Sequence, residues 1–219
     1  MDHEVAEHPR SEAGTARRAL VLGGTGMLAG CVAALLAEGW EAVTPSRHRR
    51  VITSRVGDTR EVPPGQGAGV RAVLRPPGHR PTGHGGVGRA AHWVRADWAE
   101  PDLLAAAVAR VLAGPADLLV AWVHRPYREP VLRAVAELLA PGAPVVEVHG
   151  SGAGAPGGLP DPGVADHPTH QVVLGRGASG TRWLTHAEIS SGVLAVVRAA
   201  LAGEAPRPHL VGCLPPADR

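Results

Sequence analysis

Residues 19 to 31 constrain this chain more than any other stretch. An apolar run, Leu20-Val21-Leu22, passes directly into Gly23-Gly24-Thr25-Gly26 and then into a helical apolar pattern at Met27, Leu28, Cys31, Val32, Leu35 and Leu36. That order writes a strand, a tight turn and a helix. Gly24, Gly26 and Ala29 fit the G-x-G-x-x-G/A fingerprint, in which absent side chains let main-chain N–H groups approach a pyrophosphate at the positive end of a helix. Gly23, Gly24, Thr25, Gly26, Met27 and Leu28 are accordingly the expected dinucleotide contacts of the turn.

The same residues admit a rival reading. Arg17-Arg18, the apolar run and Leu28-Ala29-Gly30-Cys31 have the order of an export signal ending in a lipobox, which would make the protein an exported lipoprotein. Against it, the chain continues as the amphipathic run Val32 to Glu38 with a stop at Gly39, and Asp2, Glu4, Glu7 and Glu12 make the leading segment acidic.

At 219 residues the chain is long enough for one domain with a real core, and its formal charge of +2 is too small to suggest a nucleic-acid or membrane-surface partner. Every cationic side chain other than histidine is arginine, because the sequence holds no lysine; it also lacks asparagine and phenylalanine. Cys31 and Cys213 lie in apolar surroundings and are expected to be buried free thiols in a reducing, cytoplasmic compartment. A small-molecule substrate is the expected partner, with a homo-oligomer left open.

Along the chain, residues 1–18 are expected to be a mobile tail and 19–214 a single Rossmann-like domain, an α/β fold with a doubly wound parallel sheet of about seven strands. Trp40 to Thr44 is the second strand, closed by Pro45-Ser46-Arg47-His48-Arg49-Arg50. An acidic residue there would receive the adenosine ribose hydroxyls. Ser46, Arg47 and Arg50 instead suit a 2′-phosphate, so NADP(H) is the expected cofactor. Residues 57–91, rich in Gly, Pro and Arg, are expected to be a long loop with a short element at Val70 to Leu74. Ala91 to Val94 gives the third strand and leads to Asp97-Trp98. Leu118 to Val123 gives the fourth, Val145 to His149 the fifth, Gln171 to Gly175 the sixth and His209 to Cys213 the last. Helices are expected from Pro101, from Pro130 and after a Thr185/Glu188 capping box. A metal site at His167-x-x-His170 with Asp161 or Asp166 is disfavoured by Pro168, and no metal is expected.

Over Ala19 to Arg50, through Gly-Gly-Thr-Gly-Met-Leu and Ser46-Arg47, the chain resembles small atypical members of the short-chain dehydrogenase/reductase superfamily, and Arg182 to Ser190 resembles a segment of such bacterial proteins. The resemblance implies that Asp97 and Trp98 flank the adenine, that Trp122, Val123 and His124 line the ribose and nicotinamide, and that Ser151 stands where the family places its catalytic serine. It breaks down at the Tyr-x-x-x-Lys pair. Tyr127 is the only tyrosine, Val131 stands four residues on, and arginine cannot relay a proton in place of lysine. Two function classes follow. One is an NADPH-dependent reductase of a small ketone or imine, with Ser151 binding the carbonyl oxygen and His124 or Tyr127 supplying the proton. Such an enzyme would suit a specialised-metabolite pathway, and the chain is similar in kind to the reductases of 8-keto coformycin and deoxycoformycin precursors in antibiotic biosynthesis. The other is a non-catalytic NADP(H)-binding sensor or partner protein.

Overall fold

The structure, a computed structural model, describes residues 16–54, 60–61, 89–150, 158–180 and 182–214. The expectations for most of the tail, for Val70 to Leu74 and for Ser151 lie outside the described residues.

Seven strands form one sheet: β1 (Arg18–Leu22), β2 (Glu41–Ser46), β5 (His92–Arg95), β6 (Leu118–Trp122), β7 (Val145–His149), β8 (Thr169–Leu174) and β9 (Pro208–Val211). The spatial order is β5-β2-β1-β6-β7-β8-β9, and every neighbouring pair is parallel. Numbered by chain order within the sheet this is 3-2-1-4-5-6-7, the doubly wound arrangement expected from sequence. A two-stranded antiparallel ribbon pairs β3 (Arg50–Val51) with β4 (Arg60–Glu61), and β4 falls within the 57–91 region expected to be loop.

The central strands are mostly apolar because both faces are covered. Ala19 and Val21 of β1, Leu118 and Val120 of β6, and Val146 and Val148 of β7 pack under α1 (Ala29–Ala37) and α4 (His186–Leu201). The alternate residues Leu20, Leu22, Leu119, Ala121 and Val145 face α2 (Pro101–Ala109) and α3 (Arg125–Ala136). The Thr185/Glu188 capping box forms as expected: the Glu188 N–H donates to Thr185 Oγ1 at 3.2 Å and the Thr185 N–H donates to Glu188 Oε2 at 2.8 Å. No described helix is long and apolar enough to cross a membrane.

Several sequence expectations need correction. β1 begins at Arg18, inside the expected tail, because the Arg18 N–H donates to Asp117 Oδ2 at 2.8 Å. β2 runs on through Pro45 to Ser46. Pro45 lies past the last β1–β2 register pair, Leu20 with Val43, so its missing N–H removes no bond of that ladder. α3 starts at Arg125 rather than at Pro130, with His124 as N-cap and Pro126 in the first turn, and tolerates Pro130 internally. That early start places Tyr127 and Arg128 on a helix. Cys31 is wholly buried and burial pushes its thiol up to about 12, so in this fold it is an unreactive packing residue. Cys213, expected to be buried, is exposed; its main chain pairs with Arg176 while the side chain faces outward.

Candidate functional site

The chain turns back across the sheet between β1 and β6, so the C-terminal ends of these two strands form the topological switch point where ligands bind in open α/β sheets. The glycines of the turn do different jobs there. Gly23 has φ of 80°, and a Cβ on it would lie 3.0 Å from both Cβ and O of Trp122 at the end of β6. Gly24 is a packing glycine. Its added Cβ would lie 2.8 Å from Thr44 Cγ2 and 3.1 Å from Val21 Cγ1. Gly26 has no such reason to be glycine, since an added Cβ meets only Gly23 O at 3.8 Å. Leu28 sits in the core beneath the turn and forms no wall. Gly30, rather than Ala29, makes the close helix contact: its added Cβ would stand 3.0 Å from Ser190 Cβ and Oγ on α4. The Ser190 hydroxyl donates to Met27 O at 2.7 Å and ties α4 to the turn.

A cleft of about 480 Å³ opens over this turn. Gly23, Thr25, Gly26 and Met27 form its floor, and the segment from Pro45 to His48 with Arg50 forms one side. Ala96, Asp97 and Trp98 follow from β5, and Trp122, His124 and Tyr127 close the far end. The structure thus brings most of the sequence-nominated residues to one cleft; Gly24 and Leu28 pack beneath it and Val123 lies beside it. His186, at the start of α4, also lines the cleft and was missed. The capping box fixed where that helix begins, but only its docking through Ser190 brings His186 here.

The side chains differ in what they have left to offer. Trp93 Nε1 donates to Ser46 Oγ at 2.9 Å and to His48 O at 3.1 Å, while Ser46 Oγ donates its own proton to His48 O at 2.7 Å. Ser46 is therefore a fastener of the loop, with no proton left for a phosphate. Arg47 is exposed and has no hydrogen-bond or ion-pair partner among the described residues. Arg50 Nη1 donates to Thr25 O at 3.2 Å, linking the arginine loop to the glycine turn. Asp97 Oδ1 accepts from the Ala99 N–H at 3.1 Å. The His124 ring lies 5.3 Å from that of Trp98 and 6.2 Å from that of Trp122, centroid to centroid. Tyr127, 39 % exposed, stands one turn into α3 behind it.

Trp122 and His124 also line a second cleft of about 240 Å³, bounded by Val123, Arg125 and Arg128 on one side and by Val148, His149 and Gly150 on the other. Beneath it Glu147 is buried and hydrogen-bonded through both carboxylate oxygens. Its Oε2 accepts from Arg128 Nε at 3.0 Å and from Arg128 Nη2, and its Oε1 accepts from the Gly163 N–H at 2.5 Å. Burial, then the charges of Arg128 and Arg125, pull the His149 imidazole down to about 4. The disfavoured metal reading gains nothing. His167 Nδ1 is 2.9 Å from Ala143 O, His170 Nδ1 is 2.9 Å from His209 Nε2, and the described residues hold no cluster of three metal-binding side chains.

No protein-family model matches the chain, and no curated protein does. Solved structures do. A short-chain dehydrogenase/reductase from Serratia marcescens matches with a TM-score of 0.54 at 15 % identity, covering 90 % of this chain and 97 % of its own. A 3-oxoacyl-[acyl-carrier protein] reductase from Brucella melitensis matches with a TM-score of 0.53 at 13 % identity, covering 91 % and 97 %. An NADH-dependent reductase solved in complex with NAD gives a TM-score of 0.50 at 15 % identity, covering 90 % and 95 %. At these identities the likeness concerns the fold, and the fold of this chain is the Rossmann-like α/β fold that short-chain dehydrogenases and reductases share.

Proposed function

We propose that this chain is an NADP(H)-dependent short-chain dehydrogenase/reductase acting on a small-molecule ketone or imine. The observation that carries the reading is Gly26. It lines a cleft at the switch point, and no neighbouring protein atom explains the absence of a side chain there. A phosphate approaching main-chain amides does explain it. The cleft also fits the rest of a dinucleotide. In this reading Asp97 and Trp98 would flank the adenine, and Trp122 and His124 would line the ribose and nicotinamide. Arg47, which lines the cleft at the end of β2, would take the 2′-phosphate, with Arg50 braced on the turn. Ser46, whose hydroxyl is already engaged, does not enter that recognition.

A bound nicotinamide dinucleotide would supply hydride; the protein's task is to hold the carbonyl carbon in reach and place a proton on its oxygen. His124 and Tyr127 share the cleft end and are the groups proposed to give that proton, directly or through water. Ser151, two residues beyond β7, remains the nominated donor of a hydrogen bond to the carbonyl oxygen. The absence of any lysine favours one alternative, an NADP(H)-binding protein without turnover.

Titration with NADPH and NADH, followed by nicotinamide fluorescence, tests the cofactor. NADPH should bind at least tenfold more tightly, and Arg47→Ala should remove most of that difference while leaving NADH affinity nearly unchanged. Failure to bind either dinucleotide refutes the reading. A screen of ketones and imines by NADPH absorbance then decides between the reductase and the silent binder.

A further inference from the structure

Beside the cleft over the glycine turn, and sharing Arg47, His48, Ala96 and Asp97 with it, lies a third cleft of about 620 Å³ that runs along α2. Arg47, Arg95 and Arg110 line it against two carboxylates, Asp97 and Glu100. All three arginines are exposed, and none has a hydrogen-bond or ion-pair partner among the described residues. Strand pairing puts two of them side by side. β2 and β5 are parallel with Ser46 opposite Arg95, and the Ala96 N–H donates to Ser46 O at 3.2 Å. Arg95 is therefore held beside the residue that precedes Arg47. Val94 is buried in the core with Leu104 and Val108, so Trp93 and Arg95 leave β5 together on the opposite face. The Trp93 indole is the group that holds Ser46 Oγ and His48 O, on either side of Arg47. One short strand thus steadies the turn that carries Arg47 and adds a second guanidinium next to it.

A phosphomonoester carries a charge of about −1.5 to −2 at pH 7 and three acceptor oxygens, more than one exposed arginine can match. Ser46 has no proton to add, and Arg50 Nη1 is turned to Thr25 O. We propose that Arg95 is a second specificity-determining residue for NADP(H), forming with Arg47 a pair of guanidiniums that takes the ribose 2′-phosphate at the junction of the two clefts. Each planar fork can give two parallel N–H bonds to phosphate oxygens, so the pair suits a dianion. NADH lacks that phosphate and offers Arg95 nothing to bind. Arg110 lines the same cleft but takes no part. It is the C-cap of α2, ten residues beyond the N-cap Glu100, which is about 15 Å along the helix axis. That the anion is a 2′-phosphate rests on the proposed NADP(H) binding.

The test titrates the full chain with NADPH and NADH by nicotinamide fluorescence, and with adenosine 2′,5′-bisphosphate and 5′-AMP by calorimetry. Arg95→Ala should weaken NADPH and the bisphosphate at least about fivefold and change NADH and 5′-AMP less than about twofold. The Arg47→Ala/Arg95→Ala double variant should bind NADPH no better than NADH. Arg110→Ala removes the same charge from the same cleft and should leave all four affinities within about twofold of wild type. Each variant should keep its Tm to within about 2 °C, as exposed substitutions do. An Arg95→Ala variant that binds NADPH like wild type overturns the proposal, as does a double variant that still prefers NADPH. An equal loss for NADH overturns it by making Arg95 a brace of the loop. An equal loss in Arg110→Ala overturns it by making the effect a general field of charge. Each of those results leaves dinucleotide binding standing. A wild-type chain that binds neither NADPH nor NADH refutes dinucleotide binding, and the role of Arg95 with it.

Discussion

Replacing Gly24 and Gly26 by alanine, one at a time, separates the packing glycine from the ligand glycine within a single turn. At Gly24 the new methyl would lie 2.8 Å from Thr44 Cγ2 and 3.1 Å from both Val21 Cγ1 and Val21 O. Thr44 is wholly buried on β2, and neither a β-branched side chain nor a strand carbonyl can retreat cheaply. Overpacking of this kind costs about 1–3 kcal/mol. For a chain of this size that lowers Tm by roughly 2–12 °C. At Gly26 the methyl meets only one carbonyl oxygen, at 3.8 Å, and the backbone is outside the left-handed region, so the fold loses nothing. Stiffening of the unfolded chain even adds about 0.4–1 kcal/mol. The methyl projects where a pyrophosphate oxygen would meet a main-chain N–H, and each such charge-assisted bond is worth about 1.5–3 kcal/mol. NADPH affinity should accordingly fall about 10- to 100-fold. Thermal melts and NADPH fluorescence titrations of both variants give the two readouts. If Gly26→Ala binds NADPH like wild type, the turn does not cradle a phosphate. If it melts as low as Gly24→Ala, the glycine is explained by packing and the functional argument fails.

Two further outcomes concern the groups beneath the second cleft. The folded state resists protonating His149 down to about 4, through burial and the charges of Arg128 and Arg125, and it lowers His209 too, through burial and then Arg207. The unfolded chain binds those protons near 6.5, so stability should be flat above that pH and fall as pH drops from 6.5 toward 4; for His149 the loss is about 2–3 kcal/mol. Urea midpoints measured against pH should show a shallower slope in His149→Leu, and an identical slope would mean that this histidine does not govern acid lability. Arg128→Met strands the buried Glu147 carboxylate with only the Gly163 N–H, at a cost of about 3–5 kcal/mol in urea denaturation. Adding Glu147→Gln should recover most of that, and an additive double variant would contradict the pairing.

The sheet was legible because its chemistry is repeated along the chain. Leu118 to Val123 is a continuous apolar run, and only a strand covered on both faces needs every residue apolar. Its alternation between the two helix layers follows from the pleat. Boundaries read less well where proline misleads. Pro45 looks like a stop and Pro130 like a helix start, but Pro45 lies beyond the β1–β2 register pairs and Pro130 lies within a helix already started by His124 and Pro126. Whether proline terminates an element depends on which N–H it removes, and that is fixed by neighbours distant in sequence.

The site divides along the same line. Local sequence placed the glycine turn, the arginine loop and the ends of β5 and β6, because the order of strands in a doubly wound sheet carries those segments to one crevice whatever their side chains. It did not reveal which polar atoms remain available there. Ser46 stands where a ribose- or phosphate-reading residue belongs, yet the indole of Trp93, 47 positions away, takes its oxygen, and its proton goes to His48. His149 looked like the unremarkable end of a strand, yet the neighbouring Glu147 carboxylate is turned to Arg128 and Gly163 and stays 3.7 Å from its Nε2. Availability is what remains after long-range bonds are made. Arg47, exposed and lining the cleft, is open to a ligand because its neighbours found other partners, a property of the folded surroundings rather than of its own segment.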